Sequence, residues 1–144
     1  MTASAIGRRG VLVGIIGSLL TACGLGGRSD VTAVQEALRG AVQALPEHLD
    51  GKVQFQDSTS AGTTISGVLV LAGRDRAEIE QSLLIVLETV SDTYDQQSGV
   101  RTAFVRIEGH PEGDRGTRVV AADVVTPTSG ANVTTEDLAA HFGG

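Results

Sequence analysis

Cys23, the only cysteine of the chain, is the residue best suited to covalent chemistry. It follows Leu20, Thr21 and Ala22 and precedes Gly24, so small residues lie on both sides of it. An ionised thiol is a strong nucleophile, and small neighbours let an extended chain enter a narrow enzyme cleft. Without a second cysteine no intrachain disulfide can form. We therefore predict that Cys23 is a modification site; the alternative is a core cysteine in a buried N-terminal helix.

The residues before Cys23 have the composition of an export signal. Arg8 and Arg9 give a basic start, and no acidic residue precedes Cys23. The run at 11–20 is largely apolar, and its length of about ten residues fits the apolar region of a signal peptide. A bilayer-spanning helix would need about 20 apolar residues. We favour export by the general secretory route, and the adjacent arginines leave the twin-arginine route open.

The tetrapeptide Leu20-Thr21-Ala22-Cys23 resembles the lipobox of bacterial lipoproteins, in which a branched aliphatic and two small residues precede a cysteine. This resemblance covers only residues 1–23. It implies cleavage between Ala22 and Cys23, a diacylglyceryl group with palmitate-like chains on the Cys23 thiol, and anchoring at the extracytoplasmic side of the cell membrane. The expected segments are a signal peptide at 1–22, a lipidated cysteine with a flexible tether at 23–29, and one folded domain at 30–144.

A second group of chemistry-bearing residues consists of His110, Glu112 and Asp114, which alternate along a polar segment. This spacing would direct one imidazole and two carboxylates toward a single cation. The neighbouring Gly109 and Gly116 favour a simpler interpretation, a polar turn whose charges face water. We therefore keep the three residues only as weak metal-ligand candidates. All three histidines are expected at the solvated surface: His48, His110 and His141.

No catalytic or nucleotide-binding motif occurs in the sequence. The nucleophile elbow, the phosphate-binding loop, the dinucleotide fingerprint, the zincin motif and the EF-hand loop are all missing from it. We therefore predict a binding or protein-interaction module without a cofactor. The alternative is a carrier of an apolar ligand, which needs a cavity of roughly several hundred Å³ between sheet and helices. An enzyme, the third reading, needs convergent polar residues in a pocket.

Charge and aromatic content exclude some partners. The chain has 17 acidic and 11 basic residues, a net charge of −6, and only 3% aromatic residues. Nucleic-acid binders are typically basic, and those that bind single strands stack bases on aromatic rings. No nucleic-acid partner is therefore expected. The expected partners are the membrane, through Cys23, and either a second copy or another envelope protein.

The region after the tether shows the order helix, strand, strand, used twice. Apolar residues at helical spacing predict helices at 30–45 and 75–94 and a short closing helix at 134–142. Alternating polar and apolar residues predict strands at 52–57, 63–72, 100–108 and 117–126. The expected N-terminal caps are Asp30 (or Ser29), Asp75 and Thr134.

These elements predict an α+β domain. Two helices would pack on one face of a four-stranded, largely antiparallel sheet in αββαββ order, followed by a short C-terminal helix. The order is loosely similar to small αββ modules of bacterial envelope proteins such as BON domains, and the similarity implies only this architecture. The two long helices share their apolar spacing at an offset of 45 residues. Duplication and the default periodicity of amphipathic helices both explain it.

The sheet face away from the helices is the candidate partner face. A face exposed only to water would be polar throughout, whereas this one mixes polar residues with valines, a phenylalanine and arginines. The candidate contact residues are Val68, Val70, Phe104, Arg106, Arg118 and Val120. We predict that a second copy or an envelope protein binds here, and covering by the closing helix is the alternative. Asp123 interrupts the inward side of the last strand, which predicts a bulge or a register shift.

Overall fold

The structure is a computed structural model that describes residues 30–143. Within this range the helices are α1 (Val31–Gln43), α2 (Arg76–Asp95), α3 (Ala121–Val124) and α4 (Thr135–Phe142). The strands of the same range are β1 (His48–Asp50), β2 (Gln54–Ser58), β3 (Gly62–Leu71), β4 (Phe104–His110), β5 (Val119–Val120) and β6 (Val133–Thr134). The predicted α+β class is confirmed, with six strands where four were expected.

Acidic and hydroxyl side chains begin the three longer helices. Asp30, Asp75 and Thr134 each accept a hydrogen bond from the backbone N–H three residues further on, at 3.1, 2.9 and 3.2 Å. These bonds satisfy N–H groups that the first turn of a helix leaves without an intrahelical partner. The N-terminal caps predicted from the sequence are therefore confirmed for α1, α2 and α4.

The two long strands β3 and β4 lie at the centre of the sheet and run parallel, with Thr64 beside Phe104 and Val70 beside His110. β1 and β2 pair antiparallel with the other edge of β3, and β5 and β6 pair antiparallel with the other edge of β4. The expected antiparallel arrangement is therefore right at both edges and wrong at the centre. The reason is α2: a strand–helix–strand crossover carries the chain back to the end where it started, so both strands point the same way.

The last expected strand, 117–126, is mostly not a strand. Only Val119–Val120 pairs with β4, and the chain then turns into α3. The carboxylate of Asp123 accepts a hydrogen bond from the backbone N–H of Val120 at 2.9 Å, which stabilises this turn. Asp123 therefore marks a helical turn rather than the expected bulge or register shift. The chain returns to β4 only at β6, with Val133 beside Val105.

β4 begins four residues later than expected and extends two residues further, so Gly109 and His110 belong to a strand rather than to a loop. His110 is only 6% exposed, which contradicts the expected solvated position. Because β3 continues to Leu71, its parallel pairing with β4 continues as far as His110. Just before β4, the backbone N–H of Ala103 donates a hydrogen bond to the hydroxyl of Thr135 at 3.0 Å.

The helices cover one face of the sheet, and the core lies between the two layers. α1 and α4 both pack against α2, so the closing helix belongs to the helical layer. The core includes fully buried side chains from helices and strands: Leu38, Ile65, Leu69, Leu83, Leu87 and Leu138. The alternative that the closing helix covers the other sheet face is therefore wrong, because Leu138 fastens that helix to the core.

α1 also closes the outer edge of β2. The side-chain oxygen of Gln35 accepts a hydrogen bond from the N–H of Phe55 at 3.1 Å, and Nε of Arg39 donates to the carbonyl of Val53 at 3.1 Å. An edge strand with unpaired backbone groups is a template for pairing with another chain. These two side chains occupy edge groups that an added strand would need, so a partner finds the sheet more accessible on its face than at this edge.

Asp137 holds the loop before β6 and the start of α4 together. Its carboxylate accepts hydrogen bonds from the N–H and hydroxyl of Thr128, at 3.2 and 2.6 Å, and from those of Thr134, at 2.9 and 3.1 Å. Burial by itself raises the pKa of Asp137, but these four hydrogen bonds outweigh burial, and the net pKa is below its usual range. The folded domain therefore favours the charged carboxylate.

This carboxylate should make stability depend on pH. Because the pKa of Asp137 is lower in the folded chain, its contribution is fully present above the unfolded pKa of about 3.9 and is lost as pH falls through the folded pKa. Asp137→Asn should lower the free energy of unfolding by about 1.5–3 kcal/mol at neutral pH, with a smaller difference in acid. Urea titrations at pH 7 and pH 3 measure it, with exposed Asp92→Asn as control. A difference equal at both pH values would contradict this role.

Candidate interaction surface

Within residues 30–143, most of the sheet face opposite the helices is exposed or half-buried, and only its far end, at His110, is buried. Strand residues alternate between the two sides of the sheet, so those that point away from the core line this face. We call this surface the open sheet face; its strand residues include Asp50, Gln54, Gln56, Thr64, Ser66, Val68, Val70, Phe104, Arg106, Glu108, Val120 and Thr134. Val68 is 50% exposed and Phe104 is 40% exposed, large fractions for apolar side chains on regular strands.

The exposed apolar residues of this face do not form one patch. The register places Phe104 beside Thr64 and places Val68 beside Glu108, which in turn faces Val120. Phe104 and Val68 therefore lie four residue positions apart along the strands, about 13 Å. The adjacent apolar cluster expected from the sequence is replaced by two separate contacts, an aromatic one at one end and a valine group at the other.

Charged groups lie between and beside these apolar contacts. The guanidinium of Arg106 is 5.9 Å from the centre of the Phe104 ring, within the range of a cation–π contact. At the β5 edge, Arg118 Nη1 is 3.8 Å from Glu108 Oε2, and the Arg118 side chain is 58% exposed. Sequence reasoning missed Glu108, although the two-residue period of β4 places it on the same face as Phe104 and Arg106. The surface therefore combines an aromatic ring, valines and both signs of charge.

Two shallow pockets open at the surface of the described domain. One, of about 200 Å³, lies at the β4 edge of the sheet and is lined by residues that include Arg106, Glu108 and Asn132. The other, of about 230 Å³, lies between the end of α2 and α4 and includes Tyr94 and Glu136 in its lining. Neither of these two pockets lies between the sheet and the helical layer, the position that the carrier alternative requires.

Tyr94 belongs to a polar network beside the second pocket. Its hydroxyl donates to the carbonyl of Arg101 at 2.6 Å, while Arg101 pairs with the buried carboxylate of Asp57, which also accepts from the hydroxyl of Thr63 at 3.1 Å. Burial, and then the negative charge of Asp57, raises the pKa of Tyr94 to about 12. The phenol therefore stays protonated at neutral pH, and the network joins the β2–β3 hairpin to the segment after α2.

The weak metal candidates do not converge. His110 is buried with Nδ1 2.8 Å from the carbonyl oxygen of Pro111, whereas Glu112 is exposed. Asp114 accepts hydrogen bonds from the N–H of Gly116 at 3.1 Å and from the hydroxyl of Thr117 at 2.7 Å, as in a polar turn. Among residues 30–143, no three His, Cys, Asp or Glu side chains are grouped to hold a metal ion.

Ala22 and Cys23, the predicted cleavage and lipidation residues, lie outside the described residues. From residue 30 to residue 143, none of the helices has the length and apolar character needed to cross a bilayer. No family model, curated protein or solved structure matches the chain. The functional argument therefore depends on the open sheet face and on the sequence before it.

Proposed function

We propose that this chain is a lipid-anchored protein on the extracytoplasmic side of the cell membrane, and that its folded domain binds a protein partner through the open sheet face. The observation that carries the binding role is the exposure of Val68 and Phe104 on an otherwise regular sheet face. Phe104 stands next to Arg106, and aromatic residues and arginine are enriched where proteins meet. Val68 and Phe104 are not part of the hydrophobic core, which lies on the other side of the sheet.

The anchoring part of the proposal rests on Cys23 and its neighbours. The lipobox-like tetrapeptide, the basic start and the absence of any other cysteine support it. The folded domain begins at α1, after Asp30, so about seven residues separate the lipid from the domain. A flexible tether of that length has a mean reach of roughly 14 Å. The domain is therefore held close to the bilayer, where its partner would also have to lie.

Phe104→Arg should reduce association without unfolding the domain. The substitution places a charge in the contact. When the membrane-anchored chain is chemically cross-linked to its partner, the yield of adduct should therefore fall about tenfold, equivalent to about 1.4 kcal/mol. Because Phe104 is 40% exposed, thermal unfolding followed by circular dichroism should change little. Gln43→Arg, at an exposed position of α1, is the matched control. Unchanged adducts, or an unfolded domain, would contradict the proposed binding role.

A further inference from the structure

We infer that the occupant of the open sheet face is the same face of a second copy of this chain, anchored in the same membrane. The inference rests on the proposed function and specifies which protein binds the open sheet face. Three properties of the described residues support it: the distribution of charge, the order of residues along β4, and the size of the face.

The charge of the domain is concentrated on its helical side. The four helices carry nine acidic residues and two basic ones. The open sheet face and its edges instead carry two basic residues, Arg106 and Arg118, and two carboxylates, Glu108 and Asp50, which lies beside Val70, so this side is close to neutral. Two copies of an acidic protein repel each other least where the surface is least acidic. The open sheet face is therefore the side on which two copies can approach.

The order of residues along β4 makes this face complementary to itself. Arg106 and Glu108 lie on the same face, one on each side of Ile107. When two sheets stack with antiparallel β4 strands centred on Ile107, Arg106 of each copy lies opposite Glu108 of the other. The same alignment sets Phe104 opposite the end where Val70 lies beside His110. A two-fold interface needs this kind of self-complementarity, in which each residue meets its counterpart twice.

The size of the face predicts a weak dimer that depends on the membrane. Four strands about 4.8 Å apart, each with about three outward side chains about 7 Å apart, give roughly 400 Å² per copy. A standard stable interface buries about 800 Å² per partner. Anchoring both copies to one membrane by short tethers raises their effective concentration, which compensates for a small contact. The chain should therefore be monomeric when free in solution and paired when anchored.

Cross-linking of the full lipidated chain in phospholipid vesicles tests the pairing. In Val68→Cys the acylated Cys23 is unreactive, so the new thiol is the only one available to a bismaleimide. A reagent with a reach of roughly 10 Å spans two stacked sheets. Val68→Cys should give adducts of twice the chain mass, about tenfold more than Gln43→Cys on α1. If the chain without the Val68→Cys substitution also reacts with the bismaleimide, Cys23 carries no lipid. That result contradicts the anchoring proposal rather than the pairing.

Charge reversal tests the alignment. Arg106→Glu in the Val68→Cys background should lower the dimer adduct about fivefold, and adding Glu108→Arg should restore it, because the two charges then exchange places. Restoration requires a folded chain, so it also excludes misfolding as the cause of the first loss. When Val68→Cys is cross-linked in membranes of cells that express it, adducts with a mass other than twice the chain overturn the second copy as occupant and leave a protein-binding face standing. No adduct from Val68→Cys overturns the pairing, while the Phe104→Arg comparison tests the proposed function separately.

Discussion

Replacing Cys23 by alanine should abolish membrane anchoring. Without the thiol no thioether to diacylglycerol can form, and the variant should remain an uncleaved precursor or be shed into the soluble fraction. Two acyl chains contribute about 0.8 kcal/mol per buried methylene, so the difference from an unlipidated chain should be close to all or none. Fractionation of cells that express either form, followed by immunodetection, measures the distribution.

Intact-mass analysis provides the control for this experiment. The membrane form of the unmodified chain should lack residues 1–22 and carry a lipid on Cys23. Thr21→Ala keeps a small residue before the cysteine and should be processed normally. A mature chain that begins elsewhere, or that carries no lipid, would contradict the anchoring proposal whatever the fractionation shows.

Truncating any one of Leu69, Leu83 and Leu87 to alanine should lower the free energy of unfolding by about 2–5 kcal/mol. Each side chain is fully buried, Leu69 on β3 and the two others on α2. Alanine would leave a cavity that the close-packed neighbours fill only in part. A domain is typically stable by about 5–15 kcal/mol, so such a loss is a large fraction of the total. Urea or guanidinium titration of the purified chain measures it.

Gln54→Ala is the matched control for the leucine series. Gln54 lies on β2 but points to the open sheet face, and its side chain is exposed. Its truncation should cost less than about 0.5 kcal/mol. Equal losses at Leu69 and Gln54 would mean that the two faces of the sheet have been assigned the wrong way round.

The anchoring and binding proposals fit one physical arrangement. In the proposed arrangement a short tether would keep the domain close to the bilayer, where confinement would strengthen a contact too small for a stable complex in solution. The acidic helical layer would then face away from the contact, and the edge of β2 is occupied by Gln35 and Arg39. The open sheet face remains accessible to a partner.

The helices and their first residues were predictable because the signals are local. Apolar residues at helical spacing and a capping side chain act within a few residues, and this is why α1, α2 and α4 begin at the expected positions. The inward side of β3 was predictable for the same reason, since strand alternation has a period of two. Local signals were misleading at 117–126, where apolar alternation continues through a segment that Asp123 bends into α3, and at both ends of β4.

The break between β1 and β2 depends on contacts that are not local in the sequence. At Lys52 the chain crosses close over β3, and a Cβ on Gly67 would lie 2.7 Å from the carbonyl oxygen of Lys52. Gly67 therefore permits the close approach, and Gly51, with φ of 93°, permits the turn that leads into it. In the sequence both glycines are unremarkable, because the contact that needs them joins residues that are distant along the chain.

By itself the sequence determined the α+β class, the three longer helices with their caps, and which residues of β3 face the core. Only the tertiary structure decided that β3 and β4 are parallel, that His110 is buried, and that Val68 and Phe104 lie about 13 Å apart rather than in one patch. Periodicity and capping depend on neighbours within one or two turns, whereas strand partners and register depend on how α2 returns the chain across the sheet. Most residues of the candidate surface were therefore evident in the sequence, Glu108 excepted, and their arrangement was not.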